Sequence, residues 1–157
     1  MVRLIRQLGG REFIEDGNGG FLVKKMLIAT HGKMASGIKD SIKVLTGLED
    51  QIVAVDGYSG DCDLDKEIQS FLKLQQTDPM IIFTDIIGGS VSQKVLSLTQ
   101  KMDNIFVITG VNLPIVLSVL MSINELEESD LQEMIQQGQV QLINNTTTTE
   151  VEDDFFN

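Results

Sequence analysis

The sequence predicts a single-domain α/β fold, an open and mostly parallel sheet covered by helices on both faces. Three observations predict it. From Phe21 onward, short apolar runs alternate with stretches of helical period. Met80-Ile81-Ile82-Phe83-Thr84 and Ile105-Phe106-Val107-Ile108-Thr109 are apolar almost throughout, as strands buried on both faces must be. Each run ends at a histidine, aspartate or glycine that turns the chain into the next helix, and the connections are expected to be right-handed.

In order, Lys24 to Thr30 reads as the first strand of this sheet, and Ser36 to Leu45 as a helix with Ile38, Ile42 and Leu45 on one face, stopped by Gly47. Gln51 to Val55 is the second strand. Asp63 caps a helix through Leu74 with Leu64, Ile68, Phe71 and Leu72 inward. Pro79 opens the third strand, Met80 to Thr84, and Ser90 caps a helix through Lys101 with Val91, Val95 and Leu98 inward. Asn104 to Thr109 is the fourth strand, after which Asn112 and Pro114 start a helix, proline suiting a first turn. Ser129 and Gln132 form a capping-box pattern for a last helix that ends at Gly138, and Val140 to Ile143 reads as a short terminal strand.

Three segments divide the chain. Residues 1–25 are basic, glycine-rich and without sustained period, and read as a poorly ordered or non-native extension, with Met26 a plausible start. Residues 26–143 form the domain, and 144–157 an acidic, frayed tail. Residues 1–25 hold five basic and three acidic side chains, so the remainder of a chain of net charge −11 carries −13 and no arginine. Such a surface argues against a nucleic-acid partner and favours a basic protein. One cysteine, Cys62, forms no internal disulfide and reads as an ordinary thiol of a reducing compartment. The apolar runs are too short to span a membrane.

In an open parallel sheet, chemistry collects at the carboxyl ends of strands. Four ends are legible: His31-Gly32, Asp56-Gly57-Tyr58, Asp85-Ile86-Ile87-Gly88-Gly89-Ser90 and Gly110-Val111-Asn112. His31, the single histidine, is the candidate nucleophile. Asp85 is its natural partner, because a carboxylate on one ring nitrogen leaves the other as a free lone pair and balances charge growing on the ring. A turn or capping aspartate reads equally from the spacing. Gly88-Gly89-Ser90 at a helix start offers N–H groups and a hydroxyl to an anion, although a plain glycine turn has the same composition. Phosphate-loop and dinucleotide fingerprints are absent. Asp61, Asp63 and Asp65 start like a calcium loop but meet Lys66 and Leu72 where glycine and glutamate are required, and one histidine with one cysteine cannot build a typical structural zinc site. Met34, two residues past Gly32, could serve docking, core filling being the commoner use of methionine.

Thr30-His31-Gly32 with Ala35-Ser36-Gly37, Asp85-Ile86-Ile87-Gly88-Gly89-Ser90, and Gly110-Val111-Asn112-Leu113-Pro114 together resemble the IIA component of the mannose-family (mannose/fructose/sorbose) bacterial phosphoenolpyruvate:sugar phosphotransferase system. The resemblance runs from Met26 to Ile143. It implies that the terminal strand Val140 to Ile143 is antiparallel and exchanged in a homodimer. It further implies a cytoplasmic phosphocarrier without cofactor or metal. His31 would accept a phosphoryl group from phospho-HPr and pass it to IIB, and the membrane IIC/IID complex would be reached only through that partner. Asp85 would hydrogen-bond the histidine, with Gly32, Gly88, Gly89 and Ser90 around the phosphoryl group. Two positions depart from the family's usual pattern: Val91 stands where proline often follows the Gly-Gly-Ser, and Lys33 follows His31-Gly32. The competing readings within this fold are the phosphotransferase subunit of a dihydroxyacetone kinase, whose loop usually lacks the paired glycines, and a signalling domain.

Overall fold

A computed structural model describes residues 26–73, 79–103, 105–122 and 126–143, together with the strands within 5–22. Those first strands are β1 (Ile5–Leu8), β2 (Arg11–Glu15) and β3 (Phe21–Leu22), paired antiparallel in the order β1-β2-β3. Leu8 pairs with Arg11, and Ile14 with both Ile5 and Leu22. The tail 144–157 lies outside the described residues, as do Lys24, Leu74 and Asn104, where sequence reading placed element ends.

The domain's sheet contains β4 (Met26–His31), β5 (Ile52–Gly57), β6 (Met80–Thr84) and β7 (Ile105–Thr109), all parallel and ordered β5-β4-β6-β7. Between them run α1 (Met34–Thr46), a 3₁₀ turn (Glu49–Gln51), α2 (Leu64–Lys73) and α3 (Ser90–Thr99), followed by α4 (Leu113–Met121) and α5 (Glu128–Gln137). The sheet separates two apolar layers. Met26 and Ile28 of β4 and Ile81 and Phe83 of β6 face α1, α4 and α5, through Ile38, Ile42, Val116 and Leu131. Leu27, Ala29 and Ile82 face α2 and α3, through Ile68, Phe71, Val91 and Val95. This two-sided burial is why the central strands carry no polar alternation.

The chain leaves β4 for α1 on one layer and β6 for α3 on the other. A crevice therefore opens at the carboxyl end of β4, the point where strand order reverses and ligands bind in open α/β sheets.

Several local expectations change. Leu45 is exposed, because α1 buries the stripe Ala35, Ile38 and Ile42 and Leu45 sits at its margin in the last turn. The last helix is capped by Glu127 with Asp130 rather than by Ser129 with Gln132: Glu127 N–H donates to Asp130 Oδ2 at 2.9 Å. Gly138 ends that helix without entering the left-handed region; a Cβ there would lie 3.2 Å from Ile115, so glycine serves the close approach of α5 to α4. Val140 to Ile143 forms no strand, antiparallel or otherwise. These four residues are exposed, and a strand needs an edge to pair with, which the segment does not reach in the single chain.

Candidate functional site

The site grows from the register of three strands. β4 ends at His31, which pairs with Gly57 of β5, and β6 ends one residue before Asp85. Gly32 then takes φ +60°, a left-handed step that costs glycine nothing and turns the chain into α1. Its N–H donates to the Gly57 carbonyl at 2.9 Å. Lys33, the residue before α1, supplies no side-chain cap; Thr30 Oγ1 and Asp56 Oδ1 instead accept from the N–H groups of Ala35 and Ser36, at 2.9 and 3.0 Å. The histidine end of β4 is thereby held by side chains from two strands.

Asp85 meets His31 twice. Its Oδ2 accepts from the His31 backbone N–H at 2.7 Å and lies 2.7 Å from ring Nδ1, while Oδ1 accepts from the Ile86 N–H at 2.9 Å. An ionised carboxylate only accepts, so the proton of a neutral imidazole belongs on Nδ1 and the lone pair on Nε2. The Asp85 side chain is 8 % exposed against 39 % for His31. Burial by itself would raise the Asp85 carboxyl, but the hydrogen bonds from the His31 backbone, the His31 ring and the Ile86 backbone, with the charge of the ring, together hold it below the usual carboxylate value.

On the other side of the ring, Nε2 lies 3.0 Å from Ser90 Oγ. Sequence reading makes Ser90 the helix cap; in the structure Gly89 occupies that place and Ser90 is the first residue of α3, so its hydroxyl is free to face the histidine. The loop between Asp85 and Ser90 is closed on itself. Ser92 Oγ lies 3.0 and 2.9 Å from the carbonyls of Ile86 and Gly89, Gln93 Nε2 donates to the Gly88 carbonyl at 3.0 Å, and Gly88 holds φ +70°. The Gly89 N–H donates to the Ile86 carbonyl at 3.1 Å. The amides of Gly32 and Gly89 are thus committed within the chain, and the Ser90 hydroxyl is the group seen within hydrogen-bond distance of Nε2. Gly89 contributes shape, since a Cβ there would lie 3.2 Å from the Ile86 carbonyl oxygen, a tight approach, and in contact with His31 Cε1.

Val91, the departure from the usual proline, is wholly buried, and its Cγ2 would lie 3.5 Å from a Cβ on Gly57: it belongs to the layer beneath the site. Lys33 is exposed. Cys62 is no activated thiol, because partial burial and then the charges of Glu67, Asp56 and Asp63 push it up. The acidic run at the start of α2 is engaged elsewhere, Asp63 Oδ1 accepting from the Lys66 N–H at 3.1 Å and Asp65 pairing with Lys94 at 3.0 Å. Among the described residues no group of three or more histidine, cysteine, aspartate or glutamate side chains could hold a metal ion.

Of the residues that flank these strand ends in sequence, Met34, Tyr58, Ile86 and Ile87 are exposed. Tyr58 is the residue whose role sequence reasoning missed. Its ring stacks on His31, centroids 5.3 Å apart and planes 17° from parallel. The available signal was an aromatic residue directly after the strand end that neighbours the histidine.

A family model described as the fructose IIA component of the phosphotransferase system matches residues 25–137. The chain belongs to that family. Among solved structures, the IIA fold of this chain is similar to a mannose/sorbose-specific IIA subunit from Enterococcus faecalis, with 20% identity, TM-score 0.66, and coverage of 82% of this chain and 100% of that one. It is also similar to a IIA protein associated with the fucose utilization operon of Streptococcus pneumoniae, at 24% identity and TM-score 0.61, covering 76% and 91% of the two chains. A third similar structure is a sugar phosphotransferase permease protein of Klebsiella pneumoniae, at 23% identity, TM-score 0.64, and coverage of 71% and 83%. Comparison with curated proteins finds no match. As a IIA-family protein the chain is a sugar phosphotransferase component, and among its described residues no helix is long and apolar enough to cross a membrane.

Proposed function

We propose that the chain is a cytoplasmic phosphocarrier, taking a phosphoryl group from phospho-HPr on His31 Nε2 and passing it to IIB, which serves the membrane IIC/IID complex. The observation that carries this reading is the imidazole held by Asp85 on Nδ1, with its other nitrogen turned to Ser90 at the crevice. The Nε2 lone pair attacks phosphorus in line, and the bond from phosphorus to the donor's nitrogen breaks with its pair returning to the donor. Positive charge then grows on the ring, where the ionised Asp85 opposes it. Ser90 Oγ, hydrogen-bonded to Nε2 beforehand, turns to a phosphoryl oxygen, and the N-terminal end of α3 adds its dipole. In delivery the acceptor's nucleophile attacks, and the N–P pair returns to Nε2.

The test is incubation with phosphoenolpyruvate, enzyme I and HPr. The expected product has gained the mass of one phosphoryl group, labile to acid and stable to base; a folded, unlabelled chain beside active HPr would overturn the reading.

The homodimer with exchanged terminal strands belongs to the same proposal. Val140, Leu142 and Ile143 are exposed, and beside the edge strand β7 a groove of about 390 Å³ is lined by Ile108, Thr109, Asn112 and Ile135. Among the described residues, Thr109 Oγ1 is buried there with no hydrogen-bond partner. Sedimentation is expected to give a dimer, and a chain ending at Gly138 a monomer; a wild-type monomer would refute it.

A further inference from the structure

Tyr58 is 64 % exposed and sits at φ +59°, the left-handed region that a bulky side chain adopts only at a cost. Neither burial nor backbone preference accounts for an aromatic residue there. The turn that carries it is tied down on both sides. The Gly57 carbonyl accepts from Gly32 N–H at 2.9 Å, the Asp56 carbonyl from Ser59 N–H at 3.3 Å, and Asp56 Oδ1 from Ser36 N–H at 3.0 Å. Gly57 leaves little room for a side chain, since a Cβ would lie 3.0 Å from the Thr30 carbonyl oxygen. The strained turn is clamped to β4 and α1, and its product is a ring laid flat against His31. Strain held in place by the surrounding structure is characteristic of working sites.

We propose that Tyr58 is a positioning residue for His31, restraining the imidazole plane in the phosphorylated state. This rests on the carrier reading above. In the free protein two in-plane hydrogen bonds fix the ring, Nδ1 to Asp85 and Nε2 to Ser90. Once Nε2 is bonded to phosphorus, its lone pair is gone and the Ser90 bond with it. Ser90 then holds a phosphoryl oxygen and no longer the ring itself, so one in-plane tether, from Nδ1 to Asp85, is left to resist rotation of the imidazole about its Cβ–Cγ bond. The flat face of Tyr58 opposes this swing, and it opposes it most when the phosphoryl group must stay aligned for in-line transfer.

The variants are Tyr58→Phe, Tyr58→Leu and Tyr58→Gly. In the free protein, the His31 ring-proton resonances report the stack without any transfer: Phe keeps their upfield shift, and Leu and Gly lose it. Phosphoramidate then supplies a partner-free transfer, its N–P bond breaking as Nε2 bonds to phosphorus and ammonia leaving. With it, and in delivery to IIB, Leu and Gly are expected to fall about tenfold in kcat or rate constant while Phe stays within about twofold. Tyr58→Gly is further expected to melt no lower than wild type, because glycine relieves the left-handed strain, so lost transfer cannot be lost folding. An unchanged phosphoramidate rate with only a raised KM for HPr and IIB would overturn the proposal in favour of a docking contact. So would a Phe variant as slow as Leu. Wild type that ignores phospho-HPr, yet keeps the same dependence on Tyr58 with phosphoramidate, would remove the carrier reading and leave the positioning role standing.

Discussion

His31→Ala is expected to lower phosphoryl incorporation from phospho-HPr by about four orders of magnitude or more, the scale on which enzymes lose activity with their nucleophile. The chain holds no other histidine to take over. The loss should not come from unfolding. His31 meets Asp85 through its backbone N–H as well as its ring, so alanine keeps the 2.7 Å bond that ties β4 to the loop after β6. Asp85 retains that donor and the Ile86 N–H, so its carboxylate stays solvated by the chain. Stability should fall by about 1 kcal/mol, the net worth of one partly exposed hydrogen bond. Intact mass after incubation with phospho-HPr, together with a urea titration, checks both halves. Full-rate labelling of the alanine variant would exclude His31 as the acceptor.

Much of this site is legible in the sequence because its parts are signalled locally. A strand whose apolar run stops at His31-Gly32, and another that stops at Asp85, announce their ends by composition, and the parallel-sheet rule brings such ends together although 54 residues separate the pair. Which strands are neighbours was not legible. The order β5-β4-β6-β7 is decided by how α1 and α3 take opposite faces, and every strand has the same apolar character. Ser90 shows the limit of local signals: a serine before a helix is a cap by its type, and only the ψ of Gly89 moves the cap back one residue and releases the hydroxyl. Tyr58 was hidden for another reason. Its conformation is one the local sequence disfavours and that tertiary bonds to Gly57 and Asp56 impose. Val140 to Ile143 carries strand-like composition, but composition supplies no partner edge.

Asp85→Asn is expected to be the second most damaging substitution, slowing transfer by about 10²- to 10⁴-fold while the fold persists. The carboxylate can only accept, so it fixes the proton on Nδ1 and the lone pair on Nε2. An amide can present its NH₂ to Nδ1 instead, which moves the proton to Nε2 and removes the nucleophile, and it no longer opposes the charge that develops during attack. The same carboxyl gives a pH signature. The three hydrogen bonds it accepts, with the charge of the His31 ring, outweigh the effect of burial and hold it below its unfolded value, about 3.9, so the unfolded chain takes up the proton first. The stabilisation from ionised Asp85 is complete above that unfolded value and is lost as pH falls through the folded one. The difference in unfolding free energy between wild type and Asp85→Asn should therefore be constant from neutral pH down to about 4 and shrink only below it. Denaturation series across that range read this directly. A difference that begins to close well above pH 5 would mean that the His31 and Ile86 donors do not hold the carboxyl ionised, and the assignment of the lone pair to Nε2 would lose its footing.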